Sequence, residues 1–143
     1  FIKKCFIIIS IMNIKTSQYL VEEAKKKIST IQAKEAKDLY EKEEIKFIDI
    51  RDIRELWKEG TLKDSIHIPR GMLEFWLDPE STYYKERKIG DIKKIVLFCA
   101  LGLRSALATK SLMDMGFDNV VHVEGGYQSM IDFGFKKREV QPK

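Results

Sequence analysis

Residues 94–105 read Lys94-Ile95-Val96-Leu97-Phe98-Cys99-Ala100-Leu101-Gly102-Leu103-Arg104-Ser105, and this stretch decides the fold. Four apolar residues in a row behind a lysine are the mark of a short strand covered on both sides, as in the middle of a parallel sheet. Gly102 lets the chain turn sharply. From Ser105 a helix is predicted, with Ala108, Leu112 and Met115 at i, i+4, i+7 facing inward and Gly116 ending it. Strand, tight loop and helix form the repeating unit of an α/β domain.

The flanking sequence repeats that unit. Lys46-Phe47-Ile48-Asp49-Ile50 is a second buried strand, and Asp52-Ile53-Arg54-Glu55 opens a short helix with a capping box, stopped at Gly60. Ser65-Ile66-His67-Ile68-Pro69 reads as a strand closed by Pro69. Gly71 to Gly90 is an irregular crossover with some helix. Asn119-Val120-Val121-His122-Val123 is a further strand, and Glu124-Gly125-Gly126 turns into a last helix, Tyr127 to Phe133, ended by Gly134. Upstream, Ser17 is expected to cap a helix reaching Lys27, with Leu20, Ala24 and Ile28 on its inner face. Ala33 to Lys42 forms another helix, with an apolar stripe of Ala36, Leu39 and Tyr40. The reading is a single α/β domain over 17–138, with a mainly parallel sheet of about five strands and helices on both faces.

Composition bounds the rest. The 143 residues carry Lys+Arg 26 against Asp+Glu 22, a mild excess of +4 that does not point to nucleic acid. Pro 3 and Gly 8, with apolar residues recurring throughout, exclude a disordered chain. With Cys 2 and His 2, a disulfide framework and a four-ligand structural zinc site are both excluded, and no metal or cofactor is expected. The apolar run Phe6 to Met12 behind Lys3-Lys4 falls far short of the roughly 20 apolar residues of a membrane span. Residues 1–16 are read as an extension or leader, with Met12 as the natural start, and 139–143 as a tail. A cytoplasmic location is expected, with the periplasm the alternative if residues 1–12 belong to a leader. The oligomeric state is not legible.

In parallel sheets ligands bind at the carboxyl edge of the strands. That edge gathers Asp49 and Arg51, Arg70, the loop from Cys99 to Ser105, and Glu124. The loop amides and the amino end of the following helix present partial positive charge to the Cys99 sulfur. They stabilise negative charge there, and the anionic form is the nucleophile. Arg104 adds a permanent cation, serving either a loop-organising ion pair or direct substrate contact. Asp49 is expected to anchor structure through loop amides or an arginine, and Ser105 to cap the helix or reach the sulfur with its hydroxyl. His67 and His122 lie within strands as core or supporting residues. Trp76 and Tyr127 are read as core aromatics or as lining of the pocket mouth. Cys5 is read as unrelated to the chemistry.

Four blocks together resemble the rhodanese-like, single-domain sulfurtransferases, with a small bacterial subgroup suggested by Pro69-Arg70-Gly71-Met72-Leu73-Glu74-Phe75-Trp76. They are Phe47-Ile48-Asp49-Ile50-Arg51, the segment Gly60 to Gly71, the Cys99 to Ser105 loop, and Val123-Glu124-Gly125-Gly126-Tyr127. The resemblance implies that Cys99 takes the outer sulfur of a small anionic donor (thiosulfate or a low-molecular-weight persulfide). It then passes that sulfur to a nucleophilic acceptor: cyanide or a thiol, including a protein thiol. Ala100, Leu101, Gly102, Leu103, Arg104 and Ser105 would hold the persulfide or substrate, supported by Asp49, Arg51, Arg70 and Glu124. Four residues separate Cys99 from Arg104. Related phosphatases and arsenate reductases have one more, which widens the cradle for a tetrahedral oxyanion. The loop interior is also more apolar than in many rhodaneses, shifting the expected donor toward a larger or protein-borne one. The alternative to an enzyme is a rhodanese-like module that docks a partner or senses redox state.

Overall fold

A computed structural model describes residues 13–42, 45–85 and 93–143. The apolar run ending at Met12, Cys5 and the end of the crossover at Gly90 lie outside the described residues. In chain order the elements are α1 (Ser17–Lys27), β1 (Thr30–Ile31), α2 (Ala33–Glu41), β2 (Ile45–Asp49), α3 (Ile53–Glu59), β3 (Thr61–Leu62) and β4 (Ile66–His67). A 3₁₀ turn at Arg70–Met72 leads into α4 (Leu73–Leu77), then β5 (Lys94–Phe98), α5 (Leu103–Asp114), β6 (Val120–Val123), α6 (Gly126–Phe133) and β7 (Lys137–Arg138). Five strands form a parallel sheet in the order β1-β6-β5-β2-β4, with β5 at its centre. β3 and β7 pair separately as an antiparallel ribbon.

The central position of β5 follows from its residues. Ile95 and Leu97 project to one face and Val96 and Phe98 to the other, so a strand without a polar side requires cover on both sides. On the first face Ala108 and Leu112 of α5 and Leu73 and Leu77 of α4 close over Ile48, Ile95 and Leu97. On the second, Ala33 and Ala36 of α2 and Tyr127 and Met130 of α6 cover Phe47, Val96 and Phe98. Among the described residues no helix is long and apolar enough to cross a membrane.

Several expected inner faces are rotated. In α1 the buried residues are Val21 and Ala24, whereas Leu20 is exposed and Ile28 lies at the carboxyl cap. Thr16 rather than Ser17 caps that helix, accepting from the Tyr19 amide at 3.0 Å. Tyr40 and Met115 are also exposed: Met115 lies at the carboxyl cap of α5, and Tyr40 keeps its ring only 5.8 Å from that of Phe47 in β2. The Asp52 capping box and the Gly60 stop stand as read.

Candidate active site

Cys99 follows β5 on the face of Ile95 and Leu97, so alternation turns its side chain toward α5. It is a free thiol, 1% exposed. Although apolar side chains surround it, its sulfur receives two backbone donors. The Gly102 N–H lies 3.1 Å from Sγ and the Ser105 N–H 3.3 Å, with the Ser105 hydroxyl at 3.5 Å. Both amides belong to the opening of α5, where N–H groups have no partner within the helix. The convergence depends on Gly102, whose φ of +95° is the left-handed region that favours glycine.

The turn before α6 holds this loop from behind. Tyr127 N–H donates to Cys99 O at 2.7 Å, and Gln128 N–H to Ala100 O at 3.4 Å. Gly126 lies so close that a Cβ there would come within 2.4 Å of Cys99 O. The apolar side chains of Leu101 and Leu103 face outward, 64% and 49% exposed.

Ser105 is not the helix cap. That position falls to Gly102, whose amide, like that of Ser105, closes on the sulfur. Ser105 is instead fully buried, with Oγ between Cys99 Sγ and Nδ1 of His122, 3.0 Å away. His122 Nε2 in turn meets Thr30 Oγ1 at 2.8 Å. Burial holds the His122 pKa down at about 4, with Glu124 opposing and Lys25 assisting, so its ring is neutral at neutral pH.

Arg104 makes an ion pair with α3. Its two terminal nitrogens meet the two carboxylate oxygens of Glu55 at 2.8 and 2.9 Å. The guanidinium keeps the Glu55 pKa below the ordinary carboxylate value, against the effect of burial. Asp49 and Arg51 form a separate, fully buried cluster. Arg51 Nε and Nη2 hold the Asp49 carboxylate at 3.0 and 2.8 Å, Nη2 also donates to Gly60 O at 2.7 Å, and Thr61 Oγ1 donates to Asp49 at 2.6 Å. The Arg51 guanidinium stacks 4.1 Å from the Tyr127 ring. Burial opposes the charge on Arg51, but the hydrogen bonds and charge of Asp49 outweigh it and raise its pKa.

Strand parity explains why this cluster misses the sulfur. Asp49 shares its face with Phe47, opposite the face that Cys99 occupies. Arg70 lines a groove with Leu20, Ala24 and Leu107, and Glu124 pairs with Lys25 at 3.4 Å. Neither is among the hydrogen-bond partners of Sγ. Trp76 packs against the first core, and Tyr127 stacks on Phe98 in the second. His67 bonds Arg51 O at 2.7 Å. His122 is buried and supports Ser105, as a core or supporting residue, whereas sequence reasoning missed the parts played by Glu55 beyond its cap and by Thr30, neither of which carries a local signal for them. Among the described residues no group of three or more His, Cys, Asp or Glu side chains is arranged to hold a metal ion.

A family model described as Rhodanese-like domain matches residues 32–132. A solved structure from Rhodopseudomonas palustris, of a protein of unknown function described as a possible tyrosine phosphatase, shares 38% identity at a TM-score of 0.81, covering 87% of this chain and 96% of that one. The polysulfide-sulfur transferase homodimer of Wolinella succinogenes shares 33% at a TM-score of 0.63, covering 84% and 85%. Over 107 residues the chain is 32% identical to the tRNA uridine(34) hydroxylase of Hamiltonella defensa, covering 75% of this chain and 29% of that protein. The chain spans between 29% and 66% of the length of the two curated relatives it matches first.

Proposed function

The chain belongs to the rhodanese-like domain family, and from that premise we propose that it is a sulfurtransferase carrying sulfur as a persulfide on Cys99. The unit responsible is residues 17–138. The observation that carries the proposal is the pair of amides, Gly102 and Ser105, aimed at one sulfur at 3.1 and 3.3 Å. Fixed donors of this kind stabilise negative charge on sulfur without needing to reorganise during reaction.

The Cys99 thiolate attacks the outer sulfur of the donor, and a new S–S bond forms. The bond joining that sulfur to the rest of the donor breaks, and the remainder leaves with the electron pair, as sulfite from thiosulfate or as a thiolate from a persulfide. An acceptor thiolate or cyanide then attacks the outer sulfur and restores the Cys99 thiolate. Two easier displacements replace one direct transfer. The loop from Ala100 to Ser105 cradles the transferred sulfur.

Two features favour a bulky or protein-borne persulfide over a small anion. Glu55 occupies both terminal nitrogens of Arg104, and exposed Leu101 and Leu103 line the loop. Likeness to the Rhodopseudomonas protein, a possible tyrosine phosphatase, supports a second reading, phosphate ester hydrolysis. The four-residue interval between Cys99 and Arg104 weighs against it.

Intact mass after incubation with thiosulfate or glutathione persulfide tests the proposal. The expected result is a gain of one sulfur atom, absent in Cys99→Ser. An unmodified thiol with every donor, or hydrolysis of a chromogenic phosphate ester without sulfur uptake, would overturn it.

A further inference from the structure

Behind Cys99 runs a continuous chain of hydrogen-bonding groups: Cys99 Sγ, Ser105 Oγ at 3.5 Å, His122 Nδ1 at 3.0 Å, and Thr30 Oγ1 at 2.8 Å from Nε2. Ser105 and His122 are fully buried, whereas Thr30 lies on the edge strand and is partly exposed. Register builds the chain. Thr30 and Leu97 both stand opposite His122, and Cys99 follows two residues after Leu97 on the same face. We propose that this chain is a proton relay, with His122 a positioning residue whose tautomer reports whether the Cys99 sulfur carries a proton. The relay rests on the sulfurtransferase reading for its purpose, though not for its hydrogen bonding.

The direction of every bond follows from the sulfur. While Cys99 is a thiol, S–H donates to Ser105 Oγ, Ser105 donates to Nδ1, and Nε2–H donates to Thr30. On ionisation the S–H bond breaks and its proton passes to Ser105 Oγ. The Ser105 proton passes to Nδ1, the Nε2 proton to Thr30, and the Thr30 proton to solvent water. One proton has left, and each of the three relaying side chains is as neutral as before. Ser105 now donates to the sulfur, and the imidazole proton sits on Nδ1. A persulfide has the same effect, because its Sγ bears no hydrogen.

The charged groups bordering the relay are already paired. Lys25 of α1 and Glu124 beyond β6 meet each other at 3.4 Å, and Arg104 of α5 is held by Glu55. Neither pair adds a titrating group within the relay.

Nitrogen-15 NMR of the full, histidine-labelled chain tests the proposal, with His122→Asn assigning the resonances, since the only other histidine is His67. The expected result is an Nε2–H tautomer in the reduced thiol and Nδ1–H both after alkaline ionisation and after loading with thiosulfate. Ser105→Ala should abolish the switch. A tautomer that stays fixed while intact mass shows an added sulfur would overturn the relay and leave the sulfurtransferase reading standing. Conversely, a switch on ionisation without sulfur uptake by any donor would support the relay and sink that reading. In sulfur-transfer assays, Ser105→Ala and His122→Leu should lower kcat about tenfold with little change in KM. His122→Asn, whose amide can donate to Ser105 but cannot pass a proton from Ser105 to Thr30, should be as slow as His122→Leu. A His122→Asn enzyme restored to the wild-type rate would show that the ring only positions Ser105 and would overturn the relay.

Discussion

Arg104 carries the charge nearest the sulfur loop, yet its guanidinium is committed. Both terminal nitrogens face Glu55, so an approaching anion meets a neutralised pair. A half-exposed ion pair of this kind adds only about 0–1 kcal/mol to stability, and its consequence is therefore one of charge placement. Glu55→Gln removes the negative charge while keeping a residue that can serve the third position of the capping box. The freed Arg104 should lower KM for thiosulfate by about twofold to fivefold, measured by steady-state assay across thiosulfate concentration. An unchanged or raised KM would show that Glu55 does not restrain the arginine. In the sequence Glu55 was legible only as a helix cap. A pair 49 positions apart leaves no periodic trace, whereas Cys99, Gly102 and Arg104 lie within six consecutive residues and could be read together.

Elements, rather than side chains, fix where the sulfur points. The loop after β5 is clamped between the opening of α5 and the turn into α6, through the Tyr127 amide on Cys99 O and the close approach of Gly126. Gly126→Ala places a Cβ against Cys99 O and Ala100 at a φ of +59°. The left-handed backbone alone costs about 1–2 kcal/mol, and the collision must displace either the loop or the helix. Urea unfolding should show a loss of at least that size, and persulfide formation should fall more steeply than in Gly116→Ala. Gly116 has comparable backbone strain at φ +105° but open space around it. Equal activity in the two variants would mean that the clamp does not shape the loop. The long apolar strands and the capped helix were readable because each carries several residues in one pattern. β1, β3 and β7 span two residues each, too few to show alternation. In α1 the reading placed Leu20, Ala24 and Ile28 inward, and packing of the helix against α5 buries Val21 in place of Leu20.

Across the whole molecule the sheet separates Asp49 and Arg51 from Cys99 and Ser105, which the sequence placed at one edge. Asp49 and Arg51 brace the α6 side, while Cys99, Ser105 and His122 occupy the α5 side. The second system couples stability to pH through His122. The ordinary histidine pKa near 6.5 holds in the unfolded chain, whereas burial depresses it to about 4 in the fold. Between those values the unfolded chain binds more protons, so stability rises with pH through this window and is fully present above it. The carboxylates with lowered pKa, Glu23 held by Lys26, Asp52 held by Arg54 and Glu55 held by Arg104, act at the acid end. Their stabilisation is present above the ordinary values of 3.8 and 4.5 and is lost as pH falls through them toward the lowered ones. Urea unfolding should therefore lose about 2 kcal/mol on going from pH 7 to pH 5 through His122 alone. The same comparison in His122→Asn should show a correspondingly smaller loss. Identical slopes in the two proteins would mean that His122 takes up its proton without unfolding the chain, and that the ring is not sealed between α5 and the sheet.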